Sequence, residues 1–569
     1  LGVTIQDHLL PAWLKNYPRE NLGADVIAGL VVTVLVLPQS LAYAMLAGLP
    51  PQAGLYVSIL PVIAYAWVGS SMTQAVGPVA ITAIMTYALL SPLAEPGSPQ
   101  YIALAAALAL FTGALVLVFG LLRLGYLASL LSRPVVSGFI SGSALLILLS
   151  QLRLLLGVPA QGADTLAQLN SLVAHLGATN PVTLIIGGLG VATLLVAKNG
   201  LGKVLQRFGL ARPQAELAAR LMPLILVAGA SLAVVWLDLD GAHGVAVVGS
   251  VRGGLPDFGL DIAGFSALGV LAGPALALAF ISTVQNITMA QALAIKRHER
   301  IDANRELIGL GLSNLVASVA GGMPVGGGTS RSAVNVASGA RSPLASIVSA
   351  VFMLCLVLIG TSWFERIPLA ILAASIIVAA ISMIDVAELR RAWSYDRADA
   401  GAYLGTALGV VVLGLQAGIV LGVALSLVTF LYRASTPHIA VVGRIPGTEH
   451  FRNVERHGVE VLPGVLFLRI DESIFFGNFR AVELRLVNEL SRMPDARHVV
   501  LIMSAVNRVD LTALEALSEV RRDLQGRGIA LHLAEVKGPV QDRLVHTDLW
   551  THLSGHVYLS VNEAFEKLK

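Results

Sequence analysis

The chain has 569 residues, 56% of them hydrophobic and 13% charged, with a formal charge of +3 and a mean hydropathy of +0.77. These values exclude a disordered chain and an ordinary soluble enzyme, and place the sequence among polytopic membrane proteins. The basic residues are spread over the connections, which excludes a nucleic-acid patch, and the single cysteine, Cys355, excludes an internal disulfide framework.

Residues 1–23 form an N-terminal cytoplasmic or interfacial segment. Leu1 to Arg19 is mixed and contains Pro11, Lys15 and Pro18, unlike a cleavable signal, so the first spanning helix is expected to act as its own signal. Asp7 to Glu20 reads as an amphipathic lead-in with Trp13 and Tyr17 as interface anchors. The first apolar span, about 25–49, contains Pro38, which frees a carbonyl and bends a helix. Gln39 and Tyr43, four apart, share one helix face. That face either looks into a cavity or supplies hydrogen bonds between helices.

Further apolar spans fall near 52–69, 79–90, 101–121, 127–150, 181–197, 221–236, 268–294, 303–320, 331–340, 343–360, 367–382, 401–414 and 416–432. With the first they make fourteen, or two sets of seven, over a transmembrane domain at 24–435 with repeats at about 24–236 and 268–432. An odd number per half inverts one half relative to the other. With the N-terminus cytoplasmic, seventeen Lys and Arg fall in inner connections and only Arg153, Arg252 and Arg366 in outer ones, as the positive-inside rule requires. The outer loop near 237–262 is acidic, with Asp238, Asp240, Asp257 and Asp261. The implied location is a bacterial inner (cytoplasmic) membrane, multi-pass, with both termini cytoplasmic.

Two spans are short and broken. Gly321 to Arg341 is interrupted by glycine and proline and carries Arg331. Such backbone is tolerated at membrane depth only where it lines a protein-enclosed cavity, and a buried arginine there costs about 2.5–3.5 kcal/mol on insertion scales. Ser330, Arg331 and Ser332 open a short helix ending at Gly339, whose free N–H groups and partial positive charge make an anion site. A nucleotide loop would also use Gly322, Gly327 and Thr329, but Gly328 stands where the phosphate-binding lysine is needed. An ordinary loop with Arg331 snorkelling to the surface is the plainer alternative. Against it stands a matching feature at Thr73 to Ile84, where Gly77 and Pro78 lead into another short helix. Two interrupted segments in corresponding halves point to a transporter site near the membrane midplane.

From 436 to 569 the composition is that of a soluble domain. Val465–Ile470, Val499–Met503 and Ala530–Ala534 read as strands, and Ala481–Arg492 and Leu511–Gly526 as amphipathic helices, implying a small cytoplasmic α/β domain.

Pro38 to Tyr56 (Pro-Gln-Ser-Leu-Ala-Tyr-Ala-Met-Leu-Ala-Gly-Leu-Pro-Pro-Gln-Ala-Gly-Leu-Tyr) resembles the signature of the sulfate permease (SulP) family, which includes prestin and pendrin. Ala75-Val-Gly-Pro-Val79, Asp302 to Gly311 and Ser330-Arg-Ser-Ala-Val-Asn335 extend the match, and the terminal domain resembles the family's STAS domain. The resemblance implies a polytopic α-helical membrane protein of fourteen segments in a seven-plus-seven inverted repeat, with a uracil-permease-like core moving against a gate as an elevator, in homodimers. It places the substrate between the N-termini of the third and tenth helices, at Val79 and Ala80 on one side and Thr329, Ser330, Arg331 and Ser332 on the other. Gln39 and Tyr43 match positions lining the same cavity. Gln285 stands where many members carry a glutamate associated with proton or cation coupling, and glutamine does not titrate. Thr512 falls at the phosphorylated serine of bacterial STAS proteins, although a helix N-cap after a strand accounts for it more simply.

The function expected is secondary transport of a small anion such as sulfate, bicarbonate, chloride or a dicarboxylate, with an anion channel or voltage-responsive motor as the alternative. Uracil-type transport would favour an intramembrane carboxylate over Arg331. An enzyme is not expected: there is no His-Glu-x-x-His and no pair of intramembrane carboxylates, and the histidines lie mostly in the soluble domain. No metal or cofactor is called for; the partners are the anion, the bilayer, a second copy of the chain and a cytoplasmic regulator at the STAS domain.

Overall fold

A computed structural model describes residues 11–15, 17–126, 131–159, 165–209, 211–251, 253–256, 259 and 268–569. Arg252, Asp257, Asp261 and residues 127–130, read above from the sequence, lie outside them, as do the side chains of Arg220, Lys296, Thr329 and Ser330. The chain divides into two compact units, Leu1–Ser426 and Leu427–Lys569.

In the first unit the helices are α1 (Leu22–Leu46), α2 (Pro51–Val68), α3 (Ala80–Leu90), α4 (Pro99–Leu121), α5 (Arg133–Leu156), α6 (Pro181–Val196) and α7 (Arg212–Leu237). The second set is α8 (Leu268–Arg297), α9 (Ala303–Ala320), α10 (Thr329–Ala337), α11 (Leu344–Ile359), α12 (Leu369–Ile381), α13 (Arg397–Leu413) and α14 (Leu415–Ser435). Each apolar span read from the sequence is one of these. Advancing a helix number by seven maps the packing onto itself: α4 packs on α8 as α11 packs on α1, and α5 packs on α13 as α12 packs on α6. That is the signature of two repeats, and it sorts α1–α4 with α8–α11 and α5–α7 with α12–α14.

Small residues let the helices of the first group meet closely. A Cβ on Gly311 of α9 would lie 2.6 Å from the Leu117 backbone nitrogen of α4, and one on Gly113 would lie 2.8 Å from that of Leu315, so neither position admits a side chain without parting the pair.

Of the lead-in, residues 7–10 and 16 lie outside the described residues; Trp13 and Tyr17, read as interface anchors, both hydrogen-bond within the protein. Trp13 is buried and its Nε1 donates to the Ala66 carbonyl at 2.9 Å, while Tyr17 donates to Asp25 Oδ2 at 2.8 Å. An internal acceptor offered to each polar tip turns both rings inward. Asp25, fully buried, also accepts from the backbone N–H groups of Arg341 and Ser342 and from the Ser342 hydroxyl, so it holds the connection between α10 and α11.

In the second unit, β3 (Ile439–Arg444), β4 (Phe451–Asn453), β5 (Val465–Ile470), β6 (His498–Ile502), β7 (Ala530–Ala534) and β8 (Val557–Tyr558) form one sheet in the order β4-β3-β5-β6-β7-β8. Strands β5 to β8 are parallel, joined by crossovers that include α15 (Phe479–Arg492) and α16 (Leu511–Gly526). Side chains alternate between faces: Leu466, Leu468, Leu501 and Leu533 share one core with α15 and α16, and Phe467, Val500 and Ile502 share the other with α17 (Val561–Leu568).

Candidate functional site

At 11 and 9 residues, α3 and α10 are about 16 and 14 Å long, roughly half of a 30 Å hydrocarbon core. What precedes each is extended chain whose N–H and C=O groups need partners at that depth. They find each other. Strand β1 (Val76–Gly77) pairs antiparallel with β2 (Gly326–Gly327), Val76 opposite Gly327 and Gly77 opposite Gly326. Gly328 N–H adds a bond to the Ala75 carbonyl at 3.1 Å. The Asn314 side chain continues the pattern, accepting from Val325 N–H at 2.9 Å and donating to its carbonyl at 3.0 Å.

Side chains of α10 then lock onto the first broken segment. Ser332 Oγ accepts from Ala75 N–H at 2.9 Å, and Asn335 Nδ2 donates to the Thr73 carbonyl at 2.9 Å. Arg331 Nη1 and Nη2 donate to the carbonyls of Val76 and Pro78 at 3.2 and 3.3 Å. Arg331 is 3% exposed, so it does not snorkel. Among the described residues no carboxylate pairs with it and its Nε has no partner, leaving a net positive charge beside the two helix N-termini. Gly77 is required here by proximity: a Cβ on it would lie 1.8 Å from Arg331 Nη1.

A cavity of about 1220 Å³ reaches this region. Its lining includes Pro38, Gln39, Ile81, Gln285, Ala333 and Val334 from the helices beside the broken segments, and Lys198, Lys203, Gln206, Arg212 and Asp385. Lys198 lies on a π-helical turn, Ala197–Leu201, between α6 and α7.

The residues singled out from sequence are therefore dispersed over two layers. Gln39 and Gln285 line the cavity; Gln285 Nε2 reaches the Gly327 carbonyl at 3.4 Å. Tyr43 is buried in the helical core and is not among the cavity-lining residues. Val79 and Ala80 are buried at the start of α3, where Val79 is an N-cap residue without a side-chain cap, so the first N–H groups of that helix have no side-chain acceptor there. Arg331 and Ser332 spend donors and an acceptor on the β1 segment rather than on the cavity wall. The backbone of Thr329 and Ser330 opens α10.

Sequence reasoning missed Gln74, Asn286 and Asn335, which tie the broken segments together, and the lysines of the vestibule. The polar run Ser282-Thr283-Val284-Gln285-Asn286-Ile287-Thr288 inside an apolar span was the available signal for the helix α8 contribution. In the soluble unit, Thr512 is exposed in the first turn of α16. The capping role read for it belongs to Asp510, whose Oδ1 accepts from Ala513 N–H at 2.8 Å.

Inverted repeats joined at two broken helices define a membrane transporter fold. The Sulfate permease family model matches residues 22–406 and the STAS domain model residues 458–564. A probable sulfate transporter of Mycobacterium tuberculosis is 32% identical over 558 residues, 98% of this chain and 97% of the relative. The chloroplastic sulfate transporter 4.1 of Arabidopsis thaliana is 33% identical over 543 residues, 93% and 78% of the two chains. Murine solute carrier 26 family member A9, an anion transporter solved in the inward-facing state, superposes with a TM-score of 0.87 at 22% identity, over 99% and 94% of the two chains. The transmembrane domain of a cyanobacterial bicarbonate transporter, BicA, gives a TM-score of 0.62 at 22% identity, over 71% and 98%. The chain belongs to the sulfate permease family, a family of transporters.

Proposed function

We propose that this protein is a secondary transporter of a small anion, sulfate being the first candidate, which binds beside the cavity, where α3 and α10 point their N-termini. The supporting observation is the β1–β2 pair itself. It sets two half-helices with their N–H ends at one place and adds the buried, carboxylate-free guanidinium of Arg331, an arrangement that favours negative charge twice over. The relatives named as sulfate transporters agree with that chemistry. Val79, Ala80, Thr329 and Ser330 supply backbone donors, and Gln39 and Gln285 supply amides on the cavity wall.

With the basic connections taken as cytoplasmic by the positive-inside rule, the cavity that Lys198, Lys203 and Arg212 line opens inward and both termini lie inside. Transport moves α1–α4 with α8–α11 as one body against α5–α7 with α12–α14, as an elevator, in a homodimer embedded in the inner membrane. The domain from about 436 onward is a cytoplasmic regulatory module, and Thr512 is its exposed phosphoacceptor.

The test is uptake by proteoliposomes of sulfate, bicarbonate, chloride and a dicarboxylate, each with and without pH and sodium gradients. Saturable uptake that is accelerated by an anion on the opposite side supports exchange by a carrier. Non-saturating conductance for all four would instead make the protein a channel.

A further inference from the structure

Glu306, in the first turn of α9, is fully buried and has no part in the site described above, yet it accepts five hydrogen bonds. Its Oε1 takes Ser70 N–H, Ser71 N–H and the Ser70 hydroxyl, each at 2.8 Å. Its Oε2 takes the Tyr65 hydroxyl at 2.5 Å and Asn286 Nδ2 at 3.3 Å. Hydrogen bonds to a charged acceptor are the strong ones; these fasten the loop that leads from α2 to β1.

The fifth bond has a consequence further on. An ionised carboxylate can only accept, so Asn286 must turn its nitrogen to Glu306 and its Oδ1 the other way. There Oδ1 accepts from Gln74 Nε2 at 2.5 Å, which in turn fixes the direction of the Gln74 amide. Gln74 is 3% exposed and its Oε1 has no partner among the described residues; the other bond to its Nε2 is a long one, 3.4 Å, to the backbone carbonyl of Asn286 itself, so the short contact with Oδ1 is the principal hold on that orientation. Gln74 Nε2 lies against Gly327, where a Cβ would approach it to 2.4 Å, and Gly327 is the residue paired with Val76.

We propose that Glu306 is a positioning residue for the anion site: its charge sets the polarity of an Asn286–Gln74 relay that holds β1 and β2 in register between α3 and α10. The inference rests on the site proposed above. Glu306 is two side chains away from the paired strands.

The relay predicts a rescue that packing alone does not. In Glu306→Gln the new NH₂ group faces Asn286 Nδ2, donor against donor, and the relay loses its direction. In Asn286→Asp two carboxylates face each other. In the double variant the Gln NH₂ donates to the new Asp, whose second oxygen again accepts from Gln74 Nε2. Uptake of radiolabelled sulfate by proteoliposomes, with chloride and bicarbonate run beside it, should show KM raised about tenfold in Glu306→Gln, the size expected for a lost charge-assisted bond. Asn286→Asp should be at least as impaired, and the double variant should recover most of the loss, with kcat changed less than KM throughout. A wild-type KM in Glu306→Gln, or a double variant no better than either single one, overturns the proposal. If Glu306→Gln does not fold, Gln74→Ala decides, because it leaves the carboxylate and its loop bonds in place: a raised KM at unchanged melting temperature is expected, and an unchanged KM overturns the relay. Arg331→Ala in the same assay separates the two levels of inference. A wild-type KM there overturns the site itself, whereas loss there beside a wild-type KM in Glu306→Gln overturns only the role of Glu306.

Discussion

Arg331 Nη1 donates to the carbonyl of Val76 at 3.2 Å, across 255 positions of sequence. The guanidinium is thus a latch between the broken segments as well as a source of charge. Arg331→Ala should lower anion affinity by roughly 10- to 100-fold, the loss of a buried charge-assisted contact, and it should also lower the melting temperature. Lysine has one compact ammonium in place of a planar fork and cannot meet the Val76 and Pro78 carbonyls together, so Arg331→Lys should restore little. Gly77→Ala, which puts a methyl where Nη1 lies, should reproduce the defect without touching the arginine. Titration of sulfate binding to the three purified variants checks this; wild-type affinity in Arg331→Ala would remove it from the site.

The helical segments, the two repeats and the two broken helices were all legible in the sequence, because span length, glycine and proline interruptions and loop charge are local signals that the bilayer enforces. What was not legible was direction. Ser332 and Arg331 are polar groups beside a helix N-terminus, and sequence assigns them to a ligand; in the fold, unpaired carbonyls and N–H groups of the other repeat claim them first. Trp13 was read as an interface anchor, and its Nε1 meets the Ala66 carbonyl, a partner no local pattern announces. Thr512 lost the capping role to Asp510 two residues earlier, because either residue type suits a cap and only backbone geometry chooses. Asn286 and Gln74, which act on residues hundreds of positions away or on a strand of two residues, left no periodic trace.

The vestibule should steer anions. Lys198 and Lys203 both line the cavity, and basic side chains lining a concave site raise the local anion concentration. Lys198→Glu/Lys203→Glu should raise KM for sulfate presented from the cytoplasmic side by roughly three- to tenfold at low ionic strength. The difference should shrink as salt approaches about 1 M, where the Debye length falls to about 3 Å. Inside-out vesicles assayed across a salt series measure this; a difference independent of salt would assign the lysines a direct contact or a structural role.

The soluble unit should lose stability in mild acid. His532 is 2% exposed, stacked on Tyr558 with ring centroids 5.5 Å apart, and its Nδ1 accepts from His556 N–H at 2.9 Å. Its Nε2 therefore carries the proton and faces His498 Nδ1 at 3.1 Å. Burial first, then the neighbouring His498 and His556, push the His532 pKa down from 6.5 to about 4. The unfolded chain consequently binds more protons between those values, so stability is full above pH 6.5 and falls as pH drops toward 4, by on the order of 2–3 kcal/mol. Calorimetry of the full chain should show the soluble-domain transition dropping by several degrees from pH 7 to pH 5, and by less in His532→Gln. Equal drops in the two proteins would place the acid sensitivity elsewhere.

Coupling to protons should be weak. The cavity wall presents Gln39 and Gln285, which do not titrate, and the buried carboxylates Asp25 and Glu306 are each engaged by several donors within the protein. A proton is coupled to transport only through a group whose protonation differs between the loaded and empty states, and neither of these carboxylates lines the cavity. Uniport or anion exchange is the mode this arrangement supports. Uptake of sulfate, which does not titrate near neutrality, should respond little to an imposed inward proton gradient in the wild type. Gln285→Glu places a carboxylate on the cavity wall beside the Gly327 carbonyl, where it gains contact with solvent and with the approaching anion, and uptake by that variant should become gradient-dependent. Concentrative, proton-driven sulfate uptake by the wild type would overturn this reading of Gln39 and Gln285 and move the search to the carboxylate that does line the cavity, Asp385.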